Sequence, residues 1–277
     1  MNTEMRALIN LMQDDDLDVA LIAMEKLLTI PEFVEQELPE LQESSEAKIR
    51  ERVHQMESIL WRKNDLTFFI ERIRAGKINL WQDLLHLNRL VDPRFNSVEI
   101  EEEMTALKEK VELEELNAMT LAAFMNKAGF SNSVEEPLDE MLFLLVDIFE
   151  NFIADSMIAS VIAREIGRAF SWEGEIVLHK GHHCLLDKKQ FFIDPDNSWK
   201  TEKMEEGEAF YTCSDKDILL STLTRLYLAA LNDGQLKVIH SLSKVMAELC
   251  DSSLDSFPYP VGQAKPGETP WNPDSTT

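Results

Sequence analysis

The feature that most constrains this chain is a change in the spacing of its apolar residues. Up to Gly167 they recur at helical intervals. From Gly174 to Asp194 they fall into short runs, Glu-Ile-Val-Leu-His, His-Cys-Leu-Leu and Gln-Phe-Phe-Ile, punctuated by Lys180-Gly181 and Asp187-Lys188-Lys189. Runs of that length between turn residues predict strands, and three in succession predict a small antiparallel sheet. Helical spacing returns after Ser214, where Ser-Asp-Lys-Asp has the form of a capping box. The fold class this predicts is α+β, mainly α: a helical amino-terminal region, a core with a small antiparallel sheet, and a carboxyl-terminal helical hairpin.

The helical stretches can be placed individually. Met5, Leu8, Ile9 and Met12 stand at i, i+3, i+4, i+7; after Asp14-Asp15-Asp16 a second stripe follows at Leu17, Leu21, Met24 and Leu28, with Asp16 as its cap. Two further helices are predicted between Asn64 and Val91, divided at Gly76 and stopped by Asp92-Pro93. The first would bury Leu66, Phe69, Ile70 and Ile73, the second Leu80, Leu84, Leu87 and Val91. Ser97 opens a Glu-rich helix to about Val111, and three more helices follow between Glu115 and Gly167, the last beginning near Asp155. In the hairpin, Leu219, Leu223, Leu226 and Ala230 face Leu242, Val245, Met246 and Leu249 across the turn Asn232-Asp233-Gly234. Five of the ten prolines lie beyond Phe257, predicting a flexible tail.

Charge narrows the range of partners. With 27 Lys and Arg against 51 Asp and Glu, the net charge is −24. Such a surface repels phosphate backbones and anionic lipid, so neither nucleic acid nor a membrane is an expected partner. No apolar run approaches the ~18 residues of a bilayer-crossing helix, and the amino terminus lacks the basic and apolar regions of a secretory signal; a cytoplasmic location is expected. The three cysteines, Cys184, Cys213 and Cys250, have no CxxC spacing and read as buried thiols. With nine glycines and no Gly-rich phosphate loop, no nucleotide or other cofactor is expected.

Between about Leu116 and Lys200 a set of short motifs recurs in a familiar order. Leu116-Asn117, Phe124, Gly129-Phe130 and Asn132 are followed by Ala163 and Gly167 at the end of a helix, then by Lys180-Gly181-His182 and Ile193-Asp194-Pro195. This stretch resembles the SirB-type branch of the transglutaminase-like family, in which a Leu-Asn pair, a Gly-Phe step, a Pro-Gly-His step and an apolar-Asp-Pro step occupy these places. The resemblance implies a transglutaminase-like core over 113–212 and a TPR-like helical hairpin over 213–255. The segment 1–112 would be a helical region whose first turn looks like that of a HEAT-type repeat, and 256–277 the tail. Two departures stand out. The family's Arg-Arg-x-Gly-x-Pro entry to the central helix is replaced by Ile148-Phe149-Glu150-Asn151-Phe152-Ile153-Ala154, and the position of the nucleophilic cysteine falls on Ser156.

The resemblance therefore implies Ser156, His182 and Asp194 as the equivalents of a nucleophile, a base and an orienting carboxylate, borne on helix, strand and strand in that order. A hydroxyl is not ionised by a helix dipole and an imidazole as a thiol is, and Asp155 at the same helix end opposes developing negative charge. Two readings follow: a non-catalytic regulatory or protein-interaction module with a degenerate triad, or an amide or ester hydrolase or acyl-transfer enzyme using the three residues. The first is preferred, with another protein as partner. His179, His182, His183 and Cys184 could suggest a metal, but strand alternation sends 183 to the face opposite 182 and 184, so no metal is expected. Trp172 and Trp199 flank the sheet, either covering a core or lining a cleft beside His182.

Overall fold

A computed structural model describes residues 3–92, 95–112, 116–132 and 139–254. Helices dominate, and one five-stranded antiparallel sheet lies among them, as the apolar spacing predicts. The expected tail over 256–277 and the Pro93 stop lie outside the described residues.

The amino-terminal helices are α1 (Thr3–Met12), α2 (Leu17–Leu27), a π-helical turn (Phe33–Glu37), α3 (Leu38–Gln42) and α4 (Ala47–Arg74). Asp16 caps α2 by accepting from the amides of Asp18 at 2.9 Å and Val19 at 3.4 Å. The buried face of α2 is turned from the predicted stripe. Ala20, Ala23, Met24 and Leu27 face inward while Leu17 and Leu21 are exposed, because close packing on α1 admits the small alanines. One core joins Met5, Leu8, Ile9 and Met12 to Phe33 and to Ile49, Val53 and Met56 of α4. Further along the same 28-residue helix Phe69 belongs to a second, larger core, so α4 serves both.

That larger core is continuous from Phe69 to Leu249. It takes in α5 (Leu80–Val91), α6 (Ser97–Glu109), α7 (Ala118–Lys127), α8 (Leu145–Asn151) and α9 (Ser156–Ala169), with one face of the sheet and the final hairpin, α10 (Asp215–Asn232) and α11 (Leu236–Leu249). Gly76 and Gly234 hold φ of +64° and +69° at the two helix breaks where the sequence places them. The Ser214 hydroxyl accepts from the Asp217 amide while the Asp217 carboxylate accepts from the Ser214 amide, completing the capping box on α10.

The sheet comprises β1 (Gly174–His179), β2 (His182–Asp187), β3 (Phe191–Asp194), β4 (Lys200–Lys203) and β5 (Tyr211–Thr212), in the order β4-β3-β2-β1-β5. β4 and β5 were not evident in the apolar pattern, because both are short and polar. Lys180 and Gly181, at φ of +50° and +88°, turn β1 into β2 and set Ile176 opposite Leu185 and Val177 opposite Cys184. Alternation then divides the sheet. Ile176, Leu185 and Ile193 face inward to α9 and the large core, while Val177, Cys184 and Phe192 form a small cluster on the outer face. Trp172 and Trp199 are both buried, as core-covering residues. The Trp172 ring fills the space between Gly167 and Gly174, where a Cβ on either glycine would collide with it.

Candidate functional site

The site expected at the start of the central helix is built from α9, β2 and the turn after β3. Asp155 caps α9: its carboxylate accepts from the Met157 amide at 2.9 Å, and its second oxygen lies 3.5 Å from the Arg225 guanidinium of α10. Ser156 is the first residue of the helix and is buried, with Ala154 and Met157 around it in sequence fully so. The positive end of the helix is thus already neutralised by a carboxylate one residue from the serine.

His182 stands at the opposite end of a different interaction. Its Nδ1 lies 2.7 Å from Oδ2 of Asp196, and its side chain is about half exposed (52%). The Asn132 side-chain amide donates to the other oxygen of Asp196. The carboxylate that orients His182 is therefore Asp196, and Asp194 does not take that role. Pro195 starts a 3-10 turn over Pro195–Asn197, which Asp194 caps by accepting from the Asp196 amide at 3.0 Å. The turn moves the useful carboxylate two residues along the chain. Both aspartates are plain in the run Asp194-Pro195-Asp196-Asn197, but nothing in the sequence says that a helical turn begins between them. Asn132 lies 64 residues before Asp196, and only folding brings the two together.

Sheet alternation also gives neighbouring residues of β2 different faces. His182 and Cys184 belong to the outer face, and His183 shares the inward face with Leu185. His183 is half-buried, and burial lowers its proton affinity; the Asp155 carboxylate raises it in opposition, and Arg225 lowers it further. The imidazole in electrostatic contact with the α9 entrance is thus that of His183.

On the outer face the thiol of Cys184 is pushed up to about 12, first by burial and then by the Asp194 and Asp196 carboxylates. It is a protonated, packed side chain. Cys213 is also buried, whereas Cys250 is exposed, correcting the expectation of three buried thiols; it follows the last residue of α11 and points away from the core. His179 stacks on Phe192 with ring centroids 4.0 Å apart, and its Nε2 lies 2.7 Å from Glu208, which also binds Lys180 at 2.9 Å. These contacts, the Glu205 amide first among them, hold the Glu208 carboxyl down to about 2. Met204 and Phe210, either side of Glu208, rest on the outer cluster and on the Phe192 ring. The four residues of the His-Cys cluster are accordingly divided: His179 holds Glu208, His182 meets Asp196 near the surface, His183 shares the inward face and Cys184 is a packed thiol. Among the described residues no group of three or more His, Cys, Asp or Glu could hold a metal ion.

No family model, curated protein or solved structure matches the chain. Among the described residues no helix is long and apolar enough to cross a membrane.

Proposed function

We propose that this chain is a SirB-type transglutaminase-like protein whose core has become a non-catalytic regulatory or protein-interaction module acting in the cytoplasm. The observation that carries the reading is that each expected catalytic group is engaged otherwise. Ser156 follows a capping carboxylate, the His182 imidazole is paired with Asp196, Asp194 caps a turn, and the Cys184 thiol of the sheet is held protonated by burial. Nucleophilic catalysis needs an activated nucleophile within reach of its base, and these contacts favour neither. The charge of −24 favours partners with basic surfaces.

The alternative is an amide or ester hydrolase using Ser156. One observation favours it: His183 faces the start of α9 and feels Asp155, so a base could be supplied by the neighbour of the residue first expected. A serine-directed fluorophosphonate separates the two readings. The module reading expects no covalent labelling at Ser156; labelling that disappears in Ser156→Ala and in His183→Gln overturns it in favour of the hydrolase.

A further inference from the structure

The outer face of the sheet is closed by a length of irregular chain and not by a helix. Residues 204–210 leave β4 at one edge of the sheet and enter β5 at the other, passing over the cluster of Val177, Cys184 and Phe192. All three covered side chains are buried, and so is the His179 ring stacked on Phe192. The cover itself is largely in solvent: Glu205, Glu206, Gly207, Ala209 and Phe210 are exposed. A cover that buries so little of itself belongs to the low end of local stability, where a segment opens without the rest of the fold.

Its attachments are few and differ in kind. Where the segment begins, Met204 packs on the cluster and its amide donates to the Gln190 carbonyl at 2.8 Å. Where it ends, Phe210 meets the Phe192 ring edge to face, with centroids 6.0 Å apart. Between these, Glu208 lies 2.7 Å from His179 Nε2 and 2.9 Å from the Lys180 ammonium, and its second oxygen accepts from the Glu205 amide at 3.0 Å. The Glu205 amide first, then Lys180 and His179, hold this carboxyl down to about 2, so it stays charged throughout the neutral range. Lys180 also feels Glu202 and Glu205, so one ammonium offsets several carboxylates that otherwise repel one another. Over 205–210, among the described residues, no backbone hydrogen bond reaches the sheet; the Glu208 amide donates instead to the Glu205 carbonyl at 3.2 Å. The chain is therefore folded on itself in a turn, and undoing that turn gives the slack to lift without breaking a bond between strands.

We infer that residues 204–210 form a latched lid, which opens and closes over Val177, Cys184 and Phe192 while the five-stranded sheet stays intact, with Glu208 as the latch. Glu208 joins the cover to β1 and to the β1–β2 turn and at the same time closes the turn within the cover, so its loss releases both. The lid goes beyond the function proposed above and does not depend on it.

The probe is a small aromatic disulfide reacting with Cys184 in the full chain at pH 8, followed by mass spectrometry with the exposed Cys250 as internal reference. In the wild-type protein the Cys184 rate should change little with low concentrations of urea, because lifting a short cover exposes little surface, whereas reaction through global unfolding rises with the full urea slope. Amides of the β1–β2 ladder should stay at least tenfold better protected against hydrogen exchange than the Cys184 thiol is against the reagent, each measured relative to the unfolded chain. Neither measurement requires a variant to fold. Glu208→Ala should then raise the Cys184 rate about tenfold, the worth of a hydrogen-bonded charge, and leave Cys250 unchanged; Glu208→Gln, which keeps an acceptor for His179, should raise it less. The lid is overturned by a wild-type Cys184 rate that follows the global urea slope, by ladder amides no better protected than the thiol, or by a rate unchanged in a folded Glu208→Ala.

Discussion

The two faces of the sheet bury side chains equally well and yet belong to different parts of the molecule. Inward, Ile176, Leu185 and Ile193 join a core that runs across eight helices; outward, Val177, Cys184 and Phe192 are sealed by one short strap carrying Met204, Glu208 and Phe210. The inner cluster is held by helices that have their own reasons to be where they are. The outer one depends on its cover. The contrast also explains where polar groups can be tolerated: His179, His182 and Asp194 keep partners near the surface of the thin face, while His183 on the thick face is held toward its neutral form by burial.

The strongest way to break this contrast is thiol chemistry. If the segment carrying Met204, Glu208 and Phe210 seals the outer face, Cys184, buried and with its thiol near 12, should react with a disulfide reagent at pH 8 at least ~100-fold more slowly than the exposed Cys250. Comparable rates, read by mass spectrometry after timed quenching, would mean that the outer cluster is open. Next in size is a pair of neighbouring substitutions. Ile176→Ala should cost about 2–5 kcal/mol, since its large core cannot collapse around the cavity, and Val177→Ala about 1–2 kcal/mol, since the strap can settle. Urea denaturation that gave equal costs would erase the distinction between the faces.

Helix and turn caps offer a smaller comparison of the same kind. Asp155→Ala removes the cap of a fourteen-residue helix and should cost ~1–2 kcal/mol, whereas Asp194→Ala, which frees only a single 3-10 turn, should cost roughly 0.5 kcal/mol. The pH dependence is the finest test, because the two faces titrate in separate windows. Burial lowers the folded His183 below its ordinary value of 6.5, so its unfolded form takes up a proton first and stability declines as pH falls through and below 6.5. Glu208, lowered from 4.5 to about 2, contributes stability above 4.5 that is lost as pH falls from there toward 2. In denaturation midpoints measured across pH, His183→Gln should flatten the first decline and Glu208→Gln the second; a single decline removed by either substitution would show the faces to be one unit.

Local signals carried much of the secondary structure. The capping box at Ser214, the cap at Asp16 and the glycines at 76 and 234 act within one turn of chain, and each stands where the sequence places it. The strands β1 to β3 were legible from apolar runs between turns, while β4 and β5 were not, because an edge strand buries too little to leave a pattern. Between Pro31 and Asn64 the sequence offered no clear stripe. The long α4 is amphipathic toward one core at its start and another at its end, so no single periodicity survives over its 28 residues.

What the sequence by itself determined is the local menu: which segments are helical, where they start and stop, that a small antiparallel sheet follows Gly174, and that alternation must part His183 from His182 and Cys184. Which carboxylate meets which imidazole was decided only by the tertiary structure. Asp194 and Asp196 are equivalent candidates in one dimension, and the choice between them depended on a 3-10 turn and on an asparagine 64 residues away. Helix caps and turns are interactions among neighbours in the chain, whereas a site is a meeting of distant segments whose register is set by the packing of everything between them.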